Sequence, residues 1–324
     1  MNIGIVGATG KVGRMMLTCL EESNVELNVL FLYASTRSAG SHLKFKDTEF
    51  LVRELNESIY NDNLDFIFLT AGGDISRKYA PMLAKSGATV IDNSSAFRRD
   101  ETVPLIIPEI NGNLLKSYKG IVANPNCSTI QLLLILKPLN DYCKINKVVV
   151  TTMQSVSGAG YSGIKELMNQ RKDNDTREVF PKKIYMNVIP QIGEIQEDNY
   201  CSEEDKMRFE AKKILNNDAF NLVATTVRVP VVYGHSESVY IEFINKIDLK
   251  EIKYILSKSK GLAVENDYIT PLEIGESDLS HVSRIRYAGD YKSIFLWNVA
   301  HNVRLGAATN AVKIFSVMIN SRGG

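Results

Sequence analysis

Cys127 is the residue of this chain whose surroundings best suit a nucleophile. It stands in the polar run NPNCST at positions 124–129, directly before the apolar stretch 130–139, which has the pattern of a helix. The dipole and free N–H groups at a helix N-terminus favour the thiolate and lower the pKa of a thiol placed there. A buried structural cysteine is the commoner case, and Cys19, within the apolar pattern of an earlier helix, fits that alternative. The sequence therefore predicts a reactive thiolate at Cys127.

A thiolate nucleophile also needs a group that exchanges protons and a group that binds anions. His235 occurs in the polar turn GHSE at 234–237, where we expect its ring to be accessible to solvent. Arg228 lies seven residues before it, in an apolar strand pattern. A single histidine is as often structural as functional, but the combination with Arg228 and Cys127 favours a catalytic role for His235.

A glycine-rich turn near the N-terminus indicates a dinucleotide site. The segment GATGKVG at 7–13 follows an apolar strand pattern and opens a helical one. Glycines at this point permit a tight turn and the close approach of a pyrophosphate to N–H groups at the helix start. The spacing GxxGxxG is weak evidence by itself, and an ordinary glycine-rich turn is the alternative. The candidate cofactor contacts are Gly7, Thr9, Gly10, Lys11, Val12 and Gly13.

The end of the second strand pattern favours NADP over NAD. Enzymes that use NAD usually carry an acidic residue there, which accepts a hydrogen bond from the ribose 2′-hydroxyl. This chain has no carboxylate at 33–40 and instead offers the guanidinium of Arg37 and the hydroxyls of Ser35 and Ser38. Because a guanidinium fork matches phosphate oxygens, these side chains suit the 2′-phosphate of NADP.

Two patterns of secondary structure must position these residues, and the first is that of a nucleotide-binding domain. Short apolar runs alternate with helical stretches through the first third of the chain. The runs are residues 2–7, 29–35, 64–71, Thr89–Asp92 and Ile121–Ala123, with helices at Lys11–Glu22 and 76–85. Alternation of this kind predicts a parallel, doubly wound sheet of the Rossmann type.

The second pattern begins after residue 145, where the strands become longer, β-branched and partly alternating. They occupy residues 147–153, 222–229, 238–244 and 293–299, and a charged helix is predicted at 202–216. Such strands suit a mostly antiparallel sheet that is covered on one face. We therefore predict an α/β chain with an NADP-binding domain at 1–126 and an α+β catalytic and dimerisation domain at 127–304. A last helix within 305–324 is expected to pack back on the first domain.

Composition excludes several classes of function. With 38 basic and 37 acidic side chains the formal net charge is +1, so no overall field favours nucleic acid or an anionic membrane. The apolar runs are far shorter than the roughly 20 residues of a membrane span, and the N-terminus does not resemble a signal peptide. The cysteines and histidines lack the spacing of a disulfide framework or a metal site. We expect a cytoplasmic enzyme that binds small molecules and no metal.

The motifs together resemble those of the aspartate-β-semialdehyde dehydrogenase family. They run through nearly the whole chain in the family's order: GATGKVG at 7–13, STRSAG at 35–40, DNSSAFR at 92–98, NPNCST at 124–129, QSVSGAG at 154–160, EEDK at 203–206, RVP at 228–230, GHSE at 234–237 and NVRLGAATN at 302–310. The resemblance implies a glyceraldehyde-3-phosphate dehydrogenase-like fold and a homodimer or homotetramer. It also implies a reaction, the reversible, NADPH-dependent reduction of L-aspartyl β-phosphate to L-aspartate β-semialdehyde and phosphate, in lysine, threonine and methionine biosynthesis.

The resemblance implies roles for individual residues as well. Cys127 would carry an acyl thioester, His235 would act as general acid and base, and Gln154 would orient the substrate. Arg228 would hold the substrate α-carboxylate, and Glu203 its α-ammonium group. Of the remaining residues, the implied phosphate contacts are Arg98 and Lys206, a further substrate contact is Asn126, and further cofactor contacts are Ser157, Gly158 and Asn302.

The chain departs from the family pattern in two places and mixes the signatures of two branches. His301 stands where many relatives have aspartate, and Ser283 where glycine is usual. Segments 151–154 and 158–163 resemble the archaeal and fungal branch, whereas 92–98 and 203–206 resemble the bacterial one. Without the resemblance, Glu203 and Lys206 would be taken for an ordinary ion pair on a helix surface.

Three alternative functions stay open at this point. N-acetyl-γ-glutamyl-phosphate reductase shares the chemistry, but its cysteine motif is closer to NPGCY and its substrate has no free amine that needs a counter-charge. Malonyl-CoA reductase would depend on CoA and ignore phosphate. A non-catalytic regulator that binds NADP would have no need of both Cys127 and His235.

Replacement of Arg37 by alanine tests the predicted cofactor preference. The 2′-phosphate of NADPH would lose a charge-assisted contact, so we expect kcat/KM for NADPH to fall about 10- to 150-fold, equivalent to about 1.5–3 kcal/mol. NADH, which has no 2′-phosphate, is the internal control and should be affected little. Equal losses for the two cofactors would give Arg37 a structural role, and a wild-type preference for NADH would contradict the NADP prediction.

Overall fold

Two compact units make up the chain. The computed structural model describes residues 1–23, 25–216 and 221–322, so the last two residues of the predicted segment 305–324 lie outside the described residues. The first unit consists of Met1–Pro125 and Ala307–Gly324, and the second of Asn126–Gly306. Within the described ranges, no helix has both the length and the apolar character needed to cross a membrane.

The order of elements follows the two patterns seen in the sequence. The first unit begins with β1 (Asn2–Val6), α1 (Lys11–Glu22), β2 (Val29–Ala34), β3 (His42–Phe45), β4 (Thr48–Glu54), β5 (Phe66–Leu69), α2 (Gly73–Lys85), β6 (Thr89–Asp92), α3 (Pro108–Asn111) and β7 (Ile121–Ala123). The second unit contains α4 (Cys127–Tyr142), β8 (Ile145–Gln154), α5 (Gly160–Gln170), α6 (Ser202–Leu215), β9 (Asn221–Arg228), β10 (His235–Phe243), α7 (Leu249–Lys258), β11 (Leu262–Val264), β12 (Ser280–Tyr287) and β13 (Ser293–Ala300). A π-helical turn at Arg304–Thr309 then leads into α8 (Asn310–Arg322).

The sheet of the first unit is doubly wound, as predicted. Its order is β3-β4-β2-β1-β5-β6-β7, and every neighbouring pair is parallel except β3 and β4. Strands such as Phe66–Leu69 are buried along their whole length, which requires unbroken apolar runs. Helices α1 and α8 bury Met16 and Phe315 in one core, and α2 buries Tyr79 in another. The hairpin of β3 and β4 was not predicted from the sequence, although His42–Phe45 alternates exposed and buried residues.

The sheet of the second unit is mixed, with antiparallel strands at its centre. Its order is β11-β12-β13-β10-β8-β9, in which the four central strands pair antiparallel and both edge pairs are parallel. Helices α4, α6 and α7 pack on it and on one another. The predicted fold class, a Rossmann-type domain followed by an α+β domain with a mostly antiparallel sheet, is confirmed.

Strand direction in the second sheet brings three of the predicted site residues to one edge. Strands β8 and β9 run parallel, and their last residues, Gln154 and Arg228, are paired. Strand β10 is antiparallel to β8 and begins with His235. The ends of β8 and β9 therefore lie beside the start of β10, and residues far apart in the sequence meet there.

Phe315 tests how much the packing of α8 contributes to the first unit. Its side chain is wholly buried, and its ring centroid lies 4.9 Å from that of Phe66 and 5.8 Å from that of Phe68. Phe315→Ala should lower the free energy of unfolding by about 3–5 kcal/mol, measured by urea denaturation, because it removes a large apolar side chain and leaves a cavity. Asn320→Ala, an exposed position on the same helix, is the control and should change it by less than about 0.5 kcal/mol. A cost below about 1 kcal/mol for Phe315→Ala would contradict this account.

Candidate active site

Cys127 is the first residue of α4, and Asn126 caps that helix. The side-chain Oδ1 of Asn126 accepts hydrogen bonds from the N–H groups of Ser128, at 2.9 Å, and Thr129, at 3.3 Å. Cys127 is partly exposed, whereas Cys19 and Cys201 are buried. The predicted position of the thiol at a helix N-terminus is therefore observed, and the dipole of α4 favours its thiolate.

Helix α6 presents three charged side chains, Glu203, Lys206 and Glu210, from the face that lies towards the start of α4. Glu203 is buried and accepts hydrogen bonds from the Nδ2 of Asn126, at 2.7 Å, and the Nε2 of Gln154, at 3.3 Å. Lys206 binds its other oxygen at 3.2 Å. Burial would raise the pKa of Glu203, but Lys206, the amide of Asn126 and the charge of Arg228 outweigh it and hold that pKa below its ordinary value. Glu203 is thus a carboxylate inside the unit and not an ordinary member of a surface ion pair.

Glu210 is a member of this face that the sequence reasoning missed. Its Oε2 accepts a hydrogen bond from the backbone N–H of Asn126 at 2.7 Å, and its side chain is almost fully buried. Its position, seven residues after Glu203 on a predicted helix, was the available signal, since that spacing returns to the same helix face. Glu203 and Glu210 together hold the residue that precedes the nucleophile.

His235 is wholly buried, which corrects the expectation of an accessible ring in a polar turn. It is the first residue of a central strand, so the sheet covers it on both sides. Its Nδ1 accepts a hydrogen bond from the backbone N–H of Ser155 at 3.1 Å, and among the described residues its Nε2 has no hydrogen-bond partner. Burial, followed by the charge of Arg228, holds the pKa of His235 well below its ordinary value. The ring is therefore neutral, with its proton on Nε2.

Arg228 lies near His235 and interacts electrostatically with Cys127. Its Nη1 donates to the carbonyl oxygen of Ser155 at 2.7 Å. Burial lowers the pKa of its guanidinium, while the opposite charges of Glu203 and Cys127 act to raise it. A Cβ atom at Gly158 would come within 2.8 Å of Nη1 of Arg228 and 3.5 Å of Nε2 of His235. Glycine at position 158 therefore leaves open the space that these two donors face.

Asn302 joins three segments around His235. Its Oδ1 accepts hydrogen bonds from the hydroxyls of Ser155 and Ser157, each at 3.2 Å, and from the N–H of Gly234 at 3.0 Å. The ring of the neighbouring His301 stacks on that of Tyr233, with 5.4 Å between the ring centroids. The Nδ1 of His301 accepts a hydrogen bond from the backbone N–H of Arg304 at 3.1 Å. The cofactor contact predicted for Asn302 stays a prediction, because its side chain is occupied within the unit.

Gly306 lies in close contact with Cys127, a constraint that the sequence motif did not explain. A Cβ atom at this position would stand 2.5 Å from the Cβ and 2.9 Å from the Cα of Cys127. Real Cβ atoms do not approach so closely, so any side chain at 306 would displace the nucleophile or the turn. Glycine is required here by close approach and not by its backbone angles.

The glycine-rich turn of the first unit has the shape of a pyrophosphate cradle. Gly7 has φ +83°, a left-handed angle that side chains rarely adopt. A Cβ atom at Gly13 would lie 2.3 Å from the carbonyl oxygen of Gly7. Gly10 caps α1 without a side-chain hydrogen bond, so the cap itself places no side chain over the N-terminus of the helix. These features fit the phosphates of a dinucleotide, which bind to N–H groups at such a position.

The end of β2 carries the residues predicted to choose the cofactor. Ser35 and Arg37 are exposed, and Ser38 is half-buried in the turn that follows the strand. The structure adds one acidic residue that the linear sequence did not indicate, because Glu54 at the end of β4 accepts a hydrogen bond from the hydroxyl of Thr36 at 2.6 Å. Among the described residues no carboxylate forms an ion pair with Arg37, which leaves its guanidinium available to a phosphate.

The remaining predicted residue of the first unit is Arg98. It is buried, and its Nη2 donates to the carbonyl oxygen of Asn93 at 3.0 Å. The carboxylate of Asp92 accepts from the N–H and the hydroxyl of Ser94, so the polar run 92–98 is held by its own hydrogen bonds.

In the part of the chain that the structure describes, no cluster of His, Cys, Asp or Glu side chains is arranged to hold a metal ion.

Comparison with known proteins gives the family. Two family models match, the NAD binding domain of semialdehyde dehydrogenases over residues 2–118 and their dimerisation domain over residues 136–305. The aspartate-semialdehyde dehydrogenase of Aquifex aeolicus is 43% identical, over 98% of this chain and 97% of that protein. The chain belongs to the aspartate-semialdehyde dehydrogenase family. The enzyme of that name from Bacillus subtilis is 42% identical, over 97% of this chain and 96% of its own.

Solved structures agree with this assignment. The crystal structure of aspartate semialdehyde dehydrogenase II from Vibrio cholerae, complexed with ASA, is 40% identical with a TM-score of 0.95 and covers 98% of each chain. The family membership predicted from the motifs is therefore confirmed. The chain is an oxidoreductase of this family, and it has a dinucleotide-binding domain and a dimerisation domain.

The two side-chain roles of Asn126, capping α4 and binding Glu203, can be separated by two substitutions. Asn126→Ala removes the cap of α4 and one donor to the buried Glu203, and should lower the free energy of unfolding by about 1–3 kcal/mol. Asn126→Ser restores a capping oxygen but cannot reach Glu203, so it should recover part of that loss. Urea denaturation of both variants and the wild type gives the comparison. Identical stabilities for the serine and alanine variants would show that capping contributes nothing.

Proposed function

We propose that this protein catalyses the reversible, NADPH-dependent reduction of L-aspartyl β-phosphate to L-aspartate β-semialdehyde and phosphate through a thioester on Cys127. The observation that carries the proposal is the position of Cys127, at the N-terminus of α4 and within the electrostatic reach of Arg228. A helix dipole and a guanidinium both stabilise a thiolate. Family membership makes the substrate class the natural one to propose.

The thiolate of Cys127 would attack the acyl carbon and expel phosphate. A new carbon–sulfur bond forms as the bond from carbon to the phosphate oxygen breaks, so the intermediate is an acyl thioester. A thioester accepts a hydride more readily than a carboxylate does, which divides one difficult step into two. Bound NADPH would supply that hydride. When the tetrahedral intermediate collapses, the carbon–sulfur bond breaks and Cys127 is released as the thiolate.

The tautomer of His235 supports a role as hydrogen-bond donor. Because Nδ1 accepts from Ser155, the neutral ring offers an N–H at Nε2 and no free acceptor on that side. We infer that His235 donates this hydrogen bond to the oxygen that becomes negative during each step, which is where a fixed donor contributes most. The thiolate itself would depend on α4 and Arg228 and would not require His235 as a base.

Charges around the site support recognition of an aspartyl group. The guanidinium of Arg228 can bind the α-carboxylate through two donors. The buried carboxylate of Glu203 suits the α-ammonium group, and it is ionised because its surroundings lower its pKa. This second charge distinguishes an aspartyl substrate from the N-acetylated substrate of the related reductase. We propose Gln154 and Asn126 as further substrate contacts, and Arg98 and Lys206 as phosphate contacts.

NADP is the cofactor we propose for the first unit. The glycine-rich turn, with Gly7, Gly10 and Gly13, fits the pyrophosphate, and Thr9, Lys11 and Val12 complete that segment. The exposed Arg37, with Ser35 and Ser38, fits the 2′-phosphate. From the second unit we propose that Ser157, Gly158 and Asn302 contact the nicotinamide side.

The wider setting follows from the same proposal. We propose that the reaction serves lysine, threonine and methionine biosynthesis in the cytoplasm. We further propose a homodimer or homotetramer formed through the catalytic and dimerisation domain at 127–304, with the NADP-binding domain at 1–126 and the last helix within 305–324. The name of the matched dimerisation domain supports an oligomer.

Cys127→Ser is the decisive variant for this function. Because a serine hydroxyl is a far weaker nucleophile than a thiolate, phosphate-dependent reduction of NADP by L-aspartate β-semialdehyde should fall at least about 1,000-fold. NADPH binding, measured by fluorescence titration, should be unchanged. Cys143→Ser at the opposite end of α4 is the matched control and should keep wild-type turnover. Wild-type turnover in Cys127→Ser would contradict the thioester mechanism, and no phosphate dependence in the wild type would contradict the proposed reaction.

A further inference from the structure

A buried polar network lies directly behind Cys127 and His235. Glu237, two residues after His235 on β10, is wholly buried, and its Oε2 accepts from the Nδ2 of Asn298 on β13 at 2.9 Å. Gln131, one turn after Cys127 on α4, is also buried, and its Nε2 donates to the backbone carbonyl oxygen of His235 at 3.4 Å. The amide of Gln131 also acts on Glu237, because it lowers the pKa of that carboxyl group in part. The network therefore connects the helix of the nucleophile with the strand of the histidine.

The donors in this network are fewer than its acceptors. Both ends of the Asn298 amide are in hydrogen bonds: Nδ2 donates to Glu237, and Oδ1 accepts from the hydroxyl of Ser280 at 2.6 Å. Among the described residues, the Oε1 of Glu237 and the Oε1 of Gln131 have no hydrogen-bond donor. Buried polar atoms are rarely left without a partner. A proton on the Oε1 of Glu237 turns that oxygen into a donor, and the Oε1 of Gln131 is a buried acceptor that lacks one.

We propose that Glu237, as an uncharged carboxylic acid, is a positioning residue that acts through Gln131 to hold α4 and Cys127 against the start of β10 and His235. Gln131 lies four residues after Cys127, so fixing its side chain fixes the rotation of the helix turn that carries the thiol. Its hydrogen bond to the carbonyl of His235 fixes the backbone of the strand at the same point. The inference rests on the proposed function, in which these two residues act on one substrate.

Burial supports the uncharged state of Glu237. It raises the pKa of this carboxyl group to about 8, and the amides of Asn298 and Gln131 lower it only in part. The groups that face Glu237 are these amides, Thr152 across the pair with β8, and the neutral ring of His235 on its own strand. None of these described groups carries a charge that would favour a carboxylate. At neutral pH the network is therefore complete, and above about pH 8 it contains a buried charge.

The raised pKa of Glu237 makes the stability of the folded protein depend on pH in a defined direction. The unfolded chain loses the proton of Glu237 near its ordinary pKa of 4.5, whereas the folded chain keeps it to about 8. The folded state therefore binds more protons between these values, so the contribution of Glu237 to the free energy of unfolding falls as the pH rises from about 4.5 to about 8. Above about 8 that contribution is constant.

Glu237→Gln tests the inference without removing the network, because glutamine has the same shape, carries an N–H donor and never ionises. In the wild type kcat should fall about tenfold as the pH rises through about 8, with KM nearly unchanged. In Glu237→Gln the value at pH 7 should stay within about threefold of wild type, and the alkaline fall should disappear. Glu242→Gln on the same strand is the matched control and should keep the wild-type profile. An identical alkaline fall in wild type and Glu237→Gln would overturn the positioning role.

Two measurements that need no turnover separate this inference from the proposed reaction. With glutamate labelled at the carboxyl carbon, the ¹³C resonance that is missing from Glu237→Gln should titrate near pH 8 in the wild type. Between pH 6 and 9 the melting temperature of the wild type should fall by more than that of Glu237→Gln. A resonance that titrates near 4.5 would overturn the inference even if the reaction is correct, and a titration near 8 would support it even if the substrate differs.

Discussion

Asn126 forms hydrogen bonds in three directions, and the arrangement of the candidate active site depends on them. Its side-chain oxygen caps α4, its amide binds Glu203, and its backbone N–H binds Glu210. Both acceptors on α6 are carboxylates in buried surroundings, where a charge-assisted hydrogen bond is stronger than in water. The residue after Asn126 is Cys127, so the start of α4 is fixed where the nucleophile needs it.

In the second unit, two buried glutamates have opposite protonation states because their surroundings differ. Glu203 and Glu237 are both buried in the second unit, yet the pKa of Glu203 lies below its ordinary value and that of Glu237 is raised to about 8. The difference arises because Glu203 faces Lys206 and two amides, whereas Glu237 faces amides alone. His235 loses its charge through burial and the nearby Arg228. The outcome is a buried carboxylate, which suits the ammonium group of the proposed substrate, and a neutral imidazole that can donate a hydrogen bond.

In the first unit the glycine-rich turn depends on close approach of backbone atoms, whereas the site of the second unit depends on hydrogen bonds between side chains. Gly7 and Gly13 are packed so that no Cβ atom fits, and the turn between β1 and α1 stays tight. The end of β2 is shaped by its neighbour β4, whose Glu54 binds Thr36 and leaves Arg37 without a carboxylate partner among the described residues. The proposed preference for NADP therefore depends on how two neighbouring strands end.

Much of this protein could be predicted from the sequence alone. Unbroken apolar runs such as Phe66–Leu69 are required of strands buried on both faces, so the parallel sheet and most of its boundaries followed from such runs. The position of Cys127 at a helix N-terminus was predictable because it directly precedes a helical pattern, and a helix start changes the chemistry of a thiol. The hairpin was missed because β3 is a strand of four residues at the edge of the sheet, and β4 is largely exposed.

Only the tertiary structure decided which polar groups face one another and which of them are charged. Glu210 binds a residue 84 positions away, and Gln131 one that is 104 positions away, and no local pattern encodes such pairs. His235 was expected in an accessible turn, yet it begins a strand and is buried beside Ser155, which lies 80 positions away in the sequence. The neutral state of His235 and the protonated state of Glu237 follow from the exclusion of water, whereas Glu203 is ionised because Lys206, Asn126 and Arg228 outweigh its burial. Solvent exclusion depends on packing between distant segments, and so it is absent from the sequence until the chain has folded.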